Sequence, residues 1–329
     1  MKSFSPYFRN AHLSTLAGNF WPRSIDESRF PTRTAIYETA PGTRVLVHEN
    51  APAPDPKGEV ILLHGLEGSS AGGYMLSLAQ ALLEAGFRTH RVNMRGCGGT
   101  QHLTDSLYHS GLTHDARWLL EHLRARQLGP RYLVGFSLGG NVTLKLAGEL
   151  GASGSDLLDG AVAVSTPIDL HACVRKMMTL ENRLYEWRFI TRLRSTYQGR
   201  HRSNPRRFPI EGLRGAWTVF QFDDQITAPF FGFGTAPNYY ATQSALGFVG
   251  EIGVPTLLVQ AKDDPLIPFD IFEDRRIRSN PRIQLITTDF GGHLGYISRP
   301  RPRFWLDPVI TSWLAVLGNK SRSRTVIQQ

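Results

Sequence analysis

The chain has 329 residues, 41% apolar and 20% charged, with a formal net charge of +9. This balance excludes a wholly disordered chain, and no apolar run approaches the roughly 18–20 residues of a membrane span. Two cysteines, Cys97 and Cys173, cannot build a disulfide framework or a four-ligand cysteine zinc site, so a soluble, cytoplasmic protein of a reducing compartment is expected.

The first ten residues are polar with no apolar stretch behind them, which predicts no secretory leader. Residues 1–31, punctuated by Pro6, Pro22 and Pro31, read as irregular. Stretches 32–39 and 43–49, split by Pro41-Gly42, predict an antiparallel hairpin, and 51–57 a proline-rich loop. From residue 59 the pattern changes. Residues 59–64 form a short, nearly continuous apolar run of the buried parallel-strand type. A helix over 72–85 ends at Gly86. Strands follow at 87–94, 131–136 and 158–165, and helices at 113–127 and 138–150. Strands at 256–261 and 282–288 enclose a helical 270–278, and a helix over 304–317 closes the pattern. Strands alternating with helices predict an α/β architecture, a mostly parallel sheet covered on both faces. The segment 169–250 breaks the alternation. It reads as a cap inserted over one end of a core made of 1–168 and 251–318, with a polar tail at 319–329 expected to fray.

The cap is first basic, then aromatic. From Arg175 to Arg214, eleven Lys or Arg against three Glu leave a local net charge of +8. This reads first as a solvated cationic helical face. A second reading is a surface that attracts anionic esters or an anionic lipid surface. No helix-turn-helix or RNA-binding signature supports nucleic acid as a partner. The aromatic part (Phe220, Phe222, Phe230, Phe231, Phe233, Tyr239, Tyr240) reads mainly as packing of the cap, with a few rings lining an acyl pocket.

The chemistry concentrates at Gly135-Phe136-Ser137-Leu138-Gly139. A Gly-x-Ser-x-Gly run between an apolar strand and a helix is a nucleophile elbow: the chain reverses sharply and the strained serine projects its hydroxyl. Gly135 and Gly139 remove Cβ atoms that would collide across the turn, and Gly140 lets the helix approach the sheet. An alcohol needs a base, and the base an orienting acid, in the chain order Ser, Asp or Glu, His. Only His171, His201 and His293 follow Ser137, and only His293 lies beyond the strand at 256–261, in Phe290-Gly-Gly-His-Leu-Gly295. For the acid, Asp263 and Asp264 both qualify; Asp264 is favoured because Pro265 biases it to an extended or turn conformation. Backbone N–H groups of Leu138 and Leu66, the latter in His64-Gly-Leu-Glu-Gly68, are the expected oxyanion hole.

His64 and Glu67 lack a third metal ligand nearby, and Arg95-Gly-Cys-Gly-Gly-Thr100 lacks the ending of a phosphate loop. No metal or cofactor is expected. Cys97 reads as a buried structural thiol, and Tyr108, His109 and Asp115 as packing and loop hydrogen bonds.

Dispersed segments sharpen this reading. Asn10-Ala-His-Leu-Ser-Thr15, His64-Gly-Leu-Glu-Gly-Ser69, Asn93-Met-Arg-Gly-Cys-Gly98 and Tyr108-His-Ser-Gly-Leu-Thr-His-Asp115 resemble segments of one family. So do Phe222-Asp-Asp-Gln-Ile-Thr227, Gly232-Phe233 and Tyr239-Tyr240 in the cap. The chain resembles the α/β-hydrolase superfamily, and within it the YheT/EMB8 group related to ABHD1/ABHD3-type hydrolases. The resemblance implies a serine carboxylesterase or lipase-like acylhydrolase with Ser137, Asp264 and His293 as triad, acting on small acyl esters. Eukaryotic members often carry an N-terminal membrane anchor; none is visible here, which points to a bacterial-type member. A thioesterase, an amidase or peptidase, and a non-catalytic binding protein on the same scaffold are the competing readings.

Overall fold

The computed structural model describes residues 3–52 and 55–327, with 320–327 described by backbone alone. Ala53 and Pro54 of the expected proline-rich loop, and Gln328 and Gln329 of the expected tail, lie outside the described residues.

The hairpin expected at the start of the sheet is β1 (Arg33–Ala40) and β2 (Thr43–Asn50), turning at Gly42 with φ 67°. Half-exposed alternation along β1 suits a sheet edge. The inner strands are β3 (Glu59–Leu63), β4 (Arg88–Val92), β5 (Arg131–Phe136), β6 (Gly160–Val164) and β7 (Thr256–Ala261); β8 (Ile283–Thr288) forms the far edge. One eight-stranded sheet results, in the order β1-β2-β4-β3-β5-β6-β7-β8. β2 runs antiparallel to both neighbours, and every pairing from β4 to β8 is parallel.

Residues of β3 alternate between two cores, as the two-residue period of a strand requires. Val60 and Leu62 pack with α2 (Gly73–Glu84) and α11 (Leu306–Ile327) on one face. Ile61 and Leu63 pack with α3 (His114–Arg126) and α4 (Leu138–Leu150) on the other. Between β6 and β7 the chain leaves the sheet for α5 (Leu170–Met177), α6 (Arg183–Ser203), α7 (Val219–Phe222), a π-helical turn at Asp223–Thr227, α8 (Ala228–Phe230) and α9 (Ala236–Gln243). These helices hold a third apolar cluster of their own, including Leu193, Tyr197, Phe222 and Tyr239.

Three elements differ from the sequence expectation. The irregular stretch expected at 1–31 contains α1 (Ala11–Phe20), started by Asn10, whose side chain accepts from Leu13 N at 3.0 Å. This helix buries Ser14, Thr15 and Gly18 rather than its leucines, so it carries no apolar period pointing inward. A Cβ on Gly18 would lie 2.6 Å from Gly295 Cα, so the helix approaches the chain after β8 closely. The helix expected at 270–278 is split into a 3₁₀ segment, Phe269–Glu273, and α10 (Arg275–Arg278), because Asp274 is extended and caps Arg276 N. The final helix begins at Leu306, not 304, and its backbone continues to Ile327. No helix among the described residues is long and apolar enough to cross a membrane.

Candidate active site

Ser137 stands at the carboxyl end of β5, at the point where the strand becomes α4. Its backbone is held at φ 52° and ψ −120°, a conformation that costs a non-glycine residue free energy. The reversal tolerates no bulk beside it. A Cβ on Gly135 would lie 2.1 Å from Gly139 O, and one on Gly139 would lie 2.5 Å from Leu63 O.

His293 follows β8 in a loop pinned from several sides. Gly292 N donates to Asp263 Oδ1 at 2.8 Å, His293 N to Thr15 Oγ1 at 2.9 Å, and Leu294 N to Ser165 Oγ at 3.3 Å. The imidazole Nε2 lies 3.0 Å from Ser137 Oγ, and Nδ1 lies 2.9 Å from Asp264 Oδ2. A carboxylate only accepts, so Nδ1 carries the ring proton and Nε2 presents a lone pair to the serine hydroxyl.

Asp264, after β7, is wholly buried. Its Oδ1 accepts from Leu266 N at 2.9 Å and Ile267 N at 3.1 Å, while Gln260 Nε2 lies 3.3 Å from Oδ2. Its neighbour Asp263 turns to the backbone of the histidine loop instead. There, burial raises its carboxyl pKa despite the N–H groups it accepts from. Of the two aspartates, the structure brings only Asp264 to the imidazole.

Leu66 and Leu138 flank Ser137 at the base of a cavity of about 110 Å³. Its walls are mostly apolar, with Val219, Phe222, Tyr239 and Tyr240 from the inserted helices, so three residues of the aromatic region, Phe222, Tyr239 and Tyr240, both pack and line. On the other side of Ser137 and His293 an outer groove of about 620 Å³ opens between α1 and α6. The remaining residues singled out in the sequence have structural partners. His64 is fully buried, with Nδ1 2.7 Å from Gly65 O and Nε2 accepting from Met94 N at 3.1 Å; burial lowers its pKa to about 4. Asp115 binds Arg95 through two hydrogen bonds of 2.8 Å, and Cys97 is a buried thiol whose pKa burial pushes up. His109 packs against Phe231 and Phe233, and burial lowers its pKa to about 3.

The sequence pattern of the alpha/beta hydrolase fold family matches residues 59–300. The chain belongs to the α/β-hydrolase family. YheT of Escherichia coli (strain K12) is 32% identical over 93% of this chain and 91% of its own length. A monoacylglycerol lipase of Saccharomyces cerevisiae is 30% identical over 80% of this chain and 60% of its own. Among solved structures, the Pyrococcus furiosus esterase Pf2001 superposes with a TM-score of 0.60 at 18% identity, covering 89% of this chain and 98% of that one. This last likeness speaks to the fold. The chain's sequence relatives thus include one named as a putative esterase and one named as a lipase.

Several residues that organise the hydrolase site were not legible as such. Thr15, which holds the His293 backbone, occurred in the sequence only as the end of a family-like segment. Glu67, beside Leu66, adopts φ 52° and is braced on both ends. Its N–H donates to Tyr108 Oη at 2.9 Å, and its carboxylate accepts from Tyr108 at 2.9 Å and from Thr196 of α6 at 2.6 Å. Lys176 of α5 donates to Asp264 O at 2.7 Å, tying the inserted helices to the acid's loop. Each contact joins positions distant in sequence, which no spacing rule reports.

Proposed function

We propose that this α/β-hydrolase is a serine carboxylic-ester hydrolase working through Ser137, His293 and Asp264 and an acyl-enzyme intermediate. The observation that carries the reading is the hydrogen-bonded series from Ser137 Oγ through both nitrogens of His293 to buried Asp264, set against an apolar cavity. The relatives named as a putative esterase (YheT) and a monoacylglycerol lipase support the ester class.

In this mechanism His293 Nε2 takes the proton of Ser137 as Oγ bonds to the ester carbonyl carbon. The electron pair of the carbonyl moves onto its oxygen, which the N–H groups of Leu66 and Leu138 stabilise. Asp264 keeps the imidazole in the productive tautomer and stabilises the imidazolium. Collapse of the tetrahedral intermediate breaks the ester C–O bond, and the alcohol leaves with the proton from Nε2. Water, deprotonated by the same imidazole, then releases the acid and restores Ser137. The small apolar cavity favours short- to medium-chain acyl groups.

Replacing Ser137 by Ala is expected to lower kcat for p-nitrophenyl butyrate by about 10⁴-fold or more. It should also abolish labelling by a fluorophosphonate, with the circular dichroism spectrum retained. Turnover like that of the wild type would overturn the assignment of the nucleophile. A wild-type chain that takes no label would favour a binding protein on this scaffold. Thioester and amide analogues of the same acyl group, compared by kcat/KM, distinguish the leaving-group classes.

A further inference from the structure

Seven of the twelve large apolar side chains most exposed among the described residues fall on two adjoining segments beside the outer groove. On α1 they are Leu13, Leu16 and Phe20, spaced i, i+3 and i+7 and therefore one stripe. The opposite stripe of the same helix, Ser14, Thr15 and Gly18, is the buried one. A surface helix normally turns its apolar stripe inward, and α1 does the reverse. The second segment runs from the end of α5 into α6. Leu180 and Leu184 are 81% and 80% exposed, Trp187 is 67% exposed, and Met178 precedes them.

The two segments touch. The ring of His12 stacks on Tyr185 with centroids 5.7 Å apart, and the guanidinium of Arg188 lies over the ring of Phe20 at 5.6 Å. The outer groove opens at this junction. Leu16, Phe20, Tyr185 and Arg188 form its rim, and Ser137 and His293 lie at its floor. Charge beside the apolar patch is mostly positive, against Glu181 and Glu186 on the same segment. α6 carries six arginines and one glutamate, and Arg183 and Arg192 are exposed beside Leu184 and Trp187.

Bulky aliphatic and tryptophan side chains projecting from a surface, with Arg183, Arg188 and Arg192 beside them, match a bilayer interface. The apolar side chains enter the acyl boundary, the indole sits at headgroup depth, and the guanidinium groups meet phosphate. A contiguous exposed apolar patch of this kind marks an interaction site rather than ordinary surface. We propose that α1 and the first turns of α6 dock the protein on an anionic lipid bilayer, with the mouth of the outer groove facing the lipid. Docking in this orientation presents a lipid-borne ester to Ser137. That last step rests on the hydrolytic reading above, whereas the docking does not.

The experiment is co-sedimentation of the full chain with vesicles of phosphatidylcholine, with and without phosphatidylglycerol. The wild type is expected to sediment with the phosphatidylglycerol vesicles and to be released by high salt. Two double substitutions, Leu184→Glu with Trp187→Glu and Leu13→Glu with Leu180→Glu, are each expected to lower the bound fraction by about tenfold or more. None of these four residues lines either cavity, so hydrolysis of soluble p-nitrophenyl butyrate should be unchanged in both variants. Loss of vesicle binding with soluble activity intact supports the docking face. A wild-type chain that stays in the supernatant, variants that sediment like it, or equal binding to neutral vesicles would overturn it. Sedimentation velocity of the chain alone adds another outcome: a dimer that the same variants dissolve would assign the patch to a second copy instead. Vesicle binding without any ester turnover would leave the docking standing and overturn the hydrolytic reading alone.

Discussion

Asp263 and Asp264 are chemically identical neighbours with different surroundings. The Asp264 carboxylate is buried under two backbone N–H groups and faces His293 Nδ1. Asp263 spends an oxygen on Gly292 N and stands half-buried outside the series. Asp264→Asn keeps the size but presents a donor or a neutral acceptor to Nδ1, which destroys the tautomer preference. A loss of about 10⁴-fold in kcat is expected. Asp263→Asn retains an oxygen for Gly292 N and is expected to stay within several-fold of the wild type. Steady-state kinetics of the two variants on one p-nitrophenyl ester check the pair. Equal losses would mean that the acid has been assigned to the wrong residue or to both.

Elements carry the next level of constraint. Helix α1 contributes Thr15 Oγ1 to the backbone of His293 and fits Gly18 against Gly295. Its contribution is therefore to the aim of the imidazole. Thr15→Val keeps the shape and removes the acceptor, leaving a donor without its partner. A several-fold fall in kcat with little change in KM is expected, because a small misplacement of a catalytic group costs rate rather than binding. At the other side of the sheet, β2, β3 and β4 are joined by His90, which lies between Glu49 and Glu59. Burial opposes the imidazolium, but the hydrogen bonds it donates to both carboxylates outweigh burial and raise the His90 pKa above 6.5. The Glu49 carboxyl, held by His90 and Tyr37 against its own burial, drops to about 2. A raised histidine stabilises the fold fully below its unfolded pKa and loses that contribution as pH rises through the folded value. Tm should therefore decline as pH rises above about 6.5, and His90→Gln should flatten that decline. Scanning calorimetry between neutral and alkaline pH measures both. On the acid side, the Glu49 contribution is lost as pH falls from 4.5 towards about 2.

For the whole molecule, the inserted helices and the sheet divide the space around Ser137 in two. The inner cavity of about 110 Å³ is lined by residues of the helices' own apolar cluster, and the outer groove of about 620 Å³ opens past α1 and α6. In the proposed reaction an acyl chain directed inward would meet Val219 and Tyr239, which would put length selection at the junction of sheet and insertion. Val219→Ala enlarges that end. It is expected to move the optimum of a p-nitrophenyl ester series towards longer acyl chains while leaving the rate for the acetate nearly unchanged. An optimum that does not move would direct the acyl group into the outer groove instead.

The elbow at Ser137, the serial order of hydroxyl, carboxylate and imidazole, and the alternation of strand and helix could all be read along the chain. They arise from short-range sterics and from periodicities of two or 3.6 residues, which a linear pattern contains. Contacts across large sequence separations could not be read that way. Asp264 prevails over Asp263 because Leu266 N and Ile267 N converge on one carboxylate, a property of the folded turn. Helix α1 escaped because it buries hydroxyls and glycine against a loop about 280 residues away, so its inward face has no apolar period. The brace from Glu67 to Tyr108 and Thr196, and the grip of Lys176 on the Asp264 loop, likewise exist only where the insertion closes over the sheet. Local backbone preference places each reactive group at a strand end; the packing of distant segments sets its direction and its neighbours.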